Sequence, residues 1–80
     1  MSIPKDITGD ELIRILAQYG YEITRQKGSH VRLTTKRGGV HHITIPKHNP
    51  LKVGTLNSII NDIADHYGLT KKEVIKDLFS

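Results

Sequence analysis

Apolar positions along the chain switch between two periods, and the switches mark its elements. Leu12, Ile13, Leu16 and Ala17 recur at spacings of three and four, with Tyr19 nearby, as in a helix with one buried side. Ahead of them, Thr8-Gly9-Asp10-Glu11 has the form of a capping box, and Gly20 supplies a left-handed stop. The spacing predicts a first helix over residues 9–19. From Tyr21 the period becomes two. Tyr21-Glu22-Ile23-Thr24-Arg25-Gln26 reads as a strand in which Tyr21 and Ile23 face the core while Glu22 and Thr24 face out. A second strand, His30 to Thr35, puts Val31 and Leu33 on one face and His30, Arg32 and Thr34 on the other.

Lys36-Arg37-Gly38-Gly39 is a turn by its paired glycines, and Val40 to Ile45 is a third strand ended by Pro46. Ile43 and Ile45 join Val31 and Leu33. His41 shares their parity at the sheet margin, whereas His42 and Thr44 share the face of His30. Lys47 to Gly54 reads as a polar, basic loop, after which Thr55 caps a helix whose stripe is Leu56, Ile59, Ile60, Ile63 and Ala64, with Gly68 as its stop. Thr70-Lys71-Lys72-Glu73 repeats the capping-box form and opens a short third helix with Val74, Ile75, Leu78 and Phe79 on its buried side. The order α-β-β-β-α-α predicts one α+β domain over residues 1–80. Its three-stranded antiparallel meander has helices on one face, and its first five elements are those of a double-stranded-RNA-binding domain.

Composition narrows the chemistry. A chain this short buries only ~60% of its unfolded surface, so any site must be a surface groove rather than a deep cavity. The absence of cysteine removes disulfides, zinc thiolates and thiol nucleophiles. No run approaches the ~20 apolar residues of a membrane span, and the expected protein is soluble and cytoplasmic. The net charge of +4 is concentrated: residues 22–54 hold seven lysines and arginines against the single carboxylate of Glu22, while both flanks are slightly acidic. A field of that kind suits a phosphate-rich partner, although a solvated charged face would look the same by count.

The middle of that basic region is Gln26-Lys27-Gly28-Ser29-His30, a tight turn delivering a histidine to the start of a strand, on the side away from the core. With this turn in view, the chain resembles the HicA-type toxins. The matching pieces are the helix ending in Tyr19-Gly20-Tyr21, the turn itself, the strand exit Ile43-Thr44-Ile45-Pro46-Lys47-His48, and Leu51-Lys52-Val53-Gly54-Thr55-Leu56 with Ile59-Ile60 behind it. Together they span nearly the whole chain. The resemblance implies a small ribonuclease of a toxin–antitoxin pair, acting on mRNA, inhibited by a HicB-type antitoxin, and using one catalytic histidine in the Gly-Ser-His turn, here His30.

Histidine suits metal-independent cleavage of RNA, because an imidazole with an ordinary pKa of ~6.5 can take or give a proton near neutrality. Lys27, Gly28, Ser29 and Arg32 stand beside His30 in sequence to bind the phosphate, and Lys47 and His48 follow the strand exit in the same role. A single histidine covers one of the two proton transfers. His42, on the same face of an adjacent strand, is the candidate for the other. Adjacent His41 and His42 point to opposite faces and cannot share a metal, so no metal or other cofactor is expected. The competing readings are a non-catalytic RNA-binding module of the double-stranded-RNA type and a protein-binding module.

Overall fold

The computed structural model describes residues 3–80. Its elements are α1 (Gly9–Ile15), continued by a 3-10 helix (Leu16–Tyr19), then β1 (Glu22–Lys27), β2 (His30–Thr35), β3 (His41–Pro46), α2 (Val53–Tyr67) and α3 (Lys71–Phe79). The strands form one antiparallel sheet in the order β1-β2-β3. The expected α+β architecture, α-β-β-β-α-α, is the one observed.

Both capping boxes are present. Thr8 accepts from the Glu11 amide at 3.1 Å while the Glu11 carboxylate accepts from the Thr8 amide, and Thr70 and Glu73 repeat the exchange. Gly20 ends the first helical segment at φ 81°, with the Thr35 hydroxyl and the Arg37 side chain packed where a Cβ would stand. The second helix departs from expectation: it begins at Val53, with Lys52 rather than Thr55 at its N-cap and no side-chain cap. Leu51 is the cause. Its side chain is buried and its amide donates to the Ile7 carbonyl, so the chain is already fixed when it reaches Lys52, and the helix starts there.

The core lies between the sheet and the helices. Val31, Leu33, Ile43 and Ile45 meet Leu12, Leu16, Leu56, Ile60, Ile63, Val74 and Leu78, each burial contributing roughly 1.5–3 kcal/mol. The helices pack over β3, with no comparable packing against β1. Tyr21, packed against His41 and Tyr67, is buried at 3% exposure, whereas Ile23, expected to face the core, is 58% exposed. It shares a face with its partner Leu33, but it stands on the edge strand, where none of the described residues covers it as Leu33 is covered.

Pro46 occupies the last position of β3 instead of ending the strand before it. A terminal strand position on a sheet edge has no ladder bond that needs its missing N–H. The ladder even extends one step further, since the Lys47 amide donates to the Ser29 carbonyl at 2.7 Å. The start of α1 holds this exit from the other side. The Gly9 amide donates to the His48 carbonyl at 2.9 Å, and a methyl on Gly9 would collide with the Pro46 carbonyl.

Candidate nucleic-acid interface on the outer face of the sheet

Two residues, Gly28 and Ser29, join β1 to β2, with Lys27 paired directly to His30. Only Gly28 has positive φ, at 58°, which is the pattern of a type II′ hairpin turn, whose twist matches that of the strands it joins. Nothing lies within 4 Å of a Cβ built on Gly28, so glycine is required there by the backbone and not by space. The turn leaves His30 at the first position of β2, exposed, opposite Lys27 on one side and Pro46 on the other. Among the described residues, no hydrogen-bond partner holds its imidazole.

A β-bulge next to this turn changes which side chains surround it. The register of β1 against β2 shifts between Ile23 and Arg25, so that Ile23 still faces Leu33 while Arg25 faces Arg32, with Thr24 as the extra residue. Strict alternation from Tyr21 and Ile23 would turn Arg25 and Lys27 toward the helices. One inserted residue reverses the parity and sends both to the outer face. Arg25, Lys27, His30, Arg32 and Thr44 consequently line a shallow groove of about 410 Å³. Among the described residues, none of its three cations is paired with a carboxylate.

The positions named from sequence are distributed as follows. Lys27, Gly28, Ser29 and Arg32 lie with His30 at one end of the sheet. Lys47 is tied to the turn by its backbone, but its ammonium lies 3.5 Å from the Asp10 carboxylate, so part of its charge is already answered. His48 is exposed in the exit loop and contributes its carbonyl to Gly9. The expected meeting of His42 with His30 does not occur. His42 pairs with Thr34, four residues along β2 from His30, or ~13 Å at the rise of a strand, and its Nδ1 is 2.7 Å from the Thr34 hydroxyl. Antiparallel register is set by the turns and the core residues, and neither shows in the parity of a single strand. Arg25 and Thr44 belong to the groove without having been anticipated. Thr44 shared the face of His30 by alternation, whereas nothing in the residue types around Thr24 announces a bulge.

A second histidine cluster sits away from the groove, between the start of β3 and α2. His41 bonds the Tyr21 hydroxyl through Nδ1 at 2.7 Å and approaches Asp62 through Nε2 at 3.2 Å. Its ring stacks on His66, centroids 4.5 Å apart, and His66 Nε2 lies 2.8 Å from the Arg37 carbonyl. His66 thereby pins the β2–β3 turn to α2. Burial pushes the Tyr21 phenol well above its usual range, with the neighbouring Tyr67 and Asp62 adding to the effect. The cluster is half-buried and anchors the β3 end of the sheet.

Residues 9–64 match the family model described as "HicA toxin of bacterial toxin-antitoxin". The matched span runs from the first residue of α1 through most of α2 and includes both the Gly28-Ser29-His30 turn and the strand exit. Neither the search of curated proteins nor that of solved structures finds a match. No helix among the described residues is long and apolar enough to cross a membrane.

Proposed function

Because this chain belongs to the HicA toxin family, the toxin half of a toxin–antitoxin pair, we propose that it is an endoribonuclease that cuts mRNA through His30 without a metal. The observation that carries the proposal is the pairing of Arg25 with Arg32 directly across the strands, beside Lys27 and His30. Like charges placed opposite each other weaken a sheet, and no carboxylate among the described residues relieves them. A phosphate in the groove would.

Cleavage begins when a ribose 2′-hydroxyl loses its proton and attacks the adjacent phosphorus. The P–O5′ bond then breaks as the leaving oxygen takes up a proton, giving a 2′,3′-cyclic phosphate and a free 5′-hydroxyl. His30 is the one imidazole in the groove, and it serves one of these transfers as general base or general acid. Water or the substrate serves the other, since His42 is held at Thr34. Arg25, Lys27 and Arg32 bind the phosphate and stabilise the charge that grows on its oxygens during attack. Gly28 and Ser29 hold the turn that presents His30, and Lys47 and His48 flank the entering strand. The inhibitor of such a site is a HicB-type antitoxin that lays acidic side chains over the groove and competes with phosphate. The site of action is the cytoplasm, where mRNA is found.

The test is cleavage of RNA by purified protein in EDTA. The His30→Ala variant is expected to lose about 10² to 10⁴ in rate while its affinity for RNA persists. Equal cleavage by the variant would favour the alternative, a non-catalytic RNA-binding module of the double-stranded-RNA type with a contaminating nuclease.

A further inference from the structure

The outer face of the sheet carries a second depression, of about 500 Å³, lined by Gly20, Glu22, Thr24, Thr34, Lys36 and Arg37. It lies on the same face as the His30 groove, toward the other end of β2. A row of hydrogen bonds crosses the three strands from its polar side chains to His42 beside it: Thr24 to Thr34 at 2.8 Å between hydroxyls, and Thr34 to His42 Nδ1 at 2.7 Å. His42 Nε2 has no partner among the described residues. Glu22 stands opposite Thr34 in the same row. It is the only carboxylate in residues 22–54, set among the cations that would track a nucleic acid backbone.

A carboxylate in that place repels phosphate. What it can accept is an N–H from the edge of a base, as acidic side chains accept from the cytosine amine. Arg37 gives Nη1 to the Gln18 carbonyl at 2.8 Å, which leaves Lys36 as the cation of the depression not engaged by a hydrogen bond or ion pair among the described residues. The strand being read must be single. Attack by a 2′-hydroxyl in line with the leaving oxygen needs a backbone freed from helical geometry, and in paired RNA the amines of adenine and cytosine lie in a deep, narrow groove that side chains do not reach.

We propose that this depression is a base-reading subsite for single-stranded RNA, in which Glu22 accepts from the exocyclic amine of adenine, cytosine or guanine. Uracil has no such amine and offers only its ring N3–H between two carbonyl oxygens that repel a carboxylate, so it is disfavoured. Thr34 and His42 complete the polar contacts to that base, and Lys36 holds a neighbouring phosphate. The inference rests on the reading of His30 as the cleaving residue, and it makes Glu22 a specificity-determining residue for that reaction. Glu22 lies apart from the cutting groove, so the two roles separate by mutation.

The experiment is to cut a pool of single-stranded RNA of random sequence in EDTA and to read the bases around each cut. The wild-type protein is expected to under-represent uridine about fivefold at one fixed offset from the cut, the scale of one good hydrogen bond. In Glu22→Gln, whose amide both donates and accepts, that depletion disappears while cutting continues. Lys36→Ala is expected to keep the depletion and to lower the slope of log affinity against log salt by about 0.7, the value for one lost contact to a single strand. Uridine depletion that survives unchanged in Glu22→Gln, or wild-type cutting with no base preference at any offset, overturns the subsite and leaves the reading of His30 standing. Cutting that is equal in wild type and His30→Ala, or absent from the wild type, overturns that reading instead.

Discussion

Arg25 and Arg32 set like charges directly opposite each other in the sheet, an arrangement that costs stability. Their opposition follows from the inserted Thr24, and it yields a prediction that separates stability from function. Arg25→Glu converts a like-charge pair into an ion pair, so the variant should be more stable by about 0.2–1 kcal/mol, seen as a higher urea midpoint. It should also bind RNA more weakly, because a cation of the groove has become an anion. A variant that binds RNA as before would show that the pair has no bearing on phosphate, and one that loses stability would show that the opposed arginines cost the sheet nothing. His30 itself was legible, since Gly28 and the strand that follows place it on the outer face by alternation alone. Arg25 was not. By parity it belongs with Tyr21 and Ile23, and a bulge is a property of how two strands fit together, which no single residue type declares.

At the scale of elements, the site depends on a helix that does not line it. The start of α1 abuts the exit of β3 at Gly9, and that exit is hydrogen-bonded to the turn that carries His30. Gly9→Val should therefore cost about 1–3 kcal/mol of stability by overpacking and should lower cleavage as well, because the strain passes through Pro46 and Lys47 to Ser29. Gly54→Ala is the control: a Cβ there meets nothing within 4 Å, and the protein should fold and cut as before. Urea titrations and cleavage rates on the two variants measure this. The helices capped by Thr8 and Thr70 could be read in advance because a capping box is local chemistry. The true start of α2 could not, since it is imposed by Leu51 reaching the core and its amide reaching Ile7, a contact distant in sequence.

The molecule as a whole is asymmetric, with helices and core gathered over β3 and the cations and both depressions on the uncovered face of the sheet. Its tyrosines belong to the covered half. Burial first, and for Tyr19 also its hydrogen bond to Asp77, hold the Tyr19 and Tyr21 phenols above their ordinary range. The folded chain thus keeps these protons more tightly than the unfolded chain does. Stability from this source is complete below the unfolded phenol value of ~10 and declines as pH rises past it. Urea midpoints measured up to pH ~11 should be level at first and then fall, and a level curve throughout would contradict the assignment. The same asymmetry leaves β1 as an open edge with Ile23 uncovered, the arrangement by which sheet proteins join edge to edge and precipitate. The bulge at Thr24 interrupts that row of free amides and carbonyls, and Arg25 and Lys27 charge its rim. The residue that turns Arg25 and Lys27 to the outer face should therefore also discourage this chain from pairing edge to edge with a second copy.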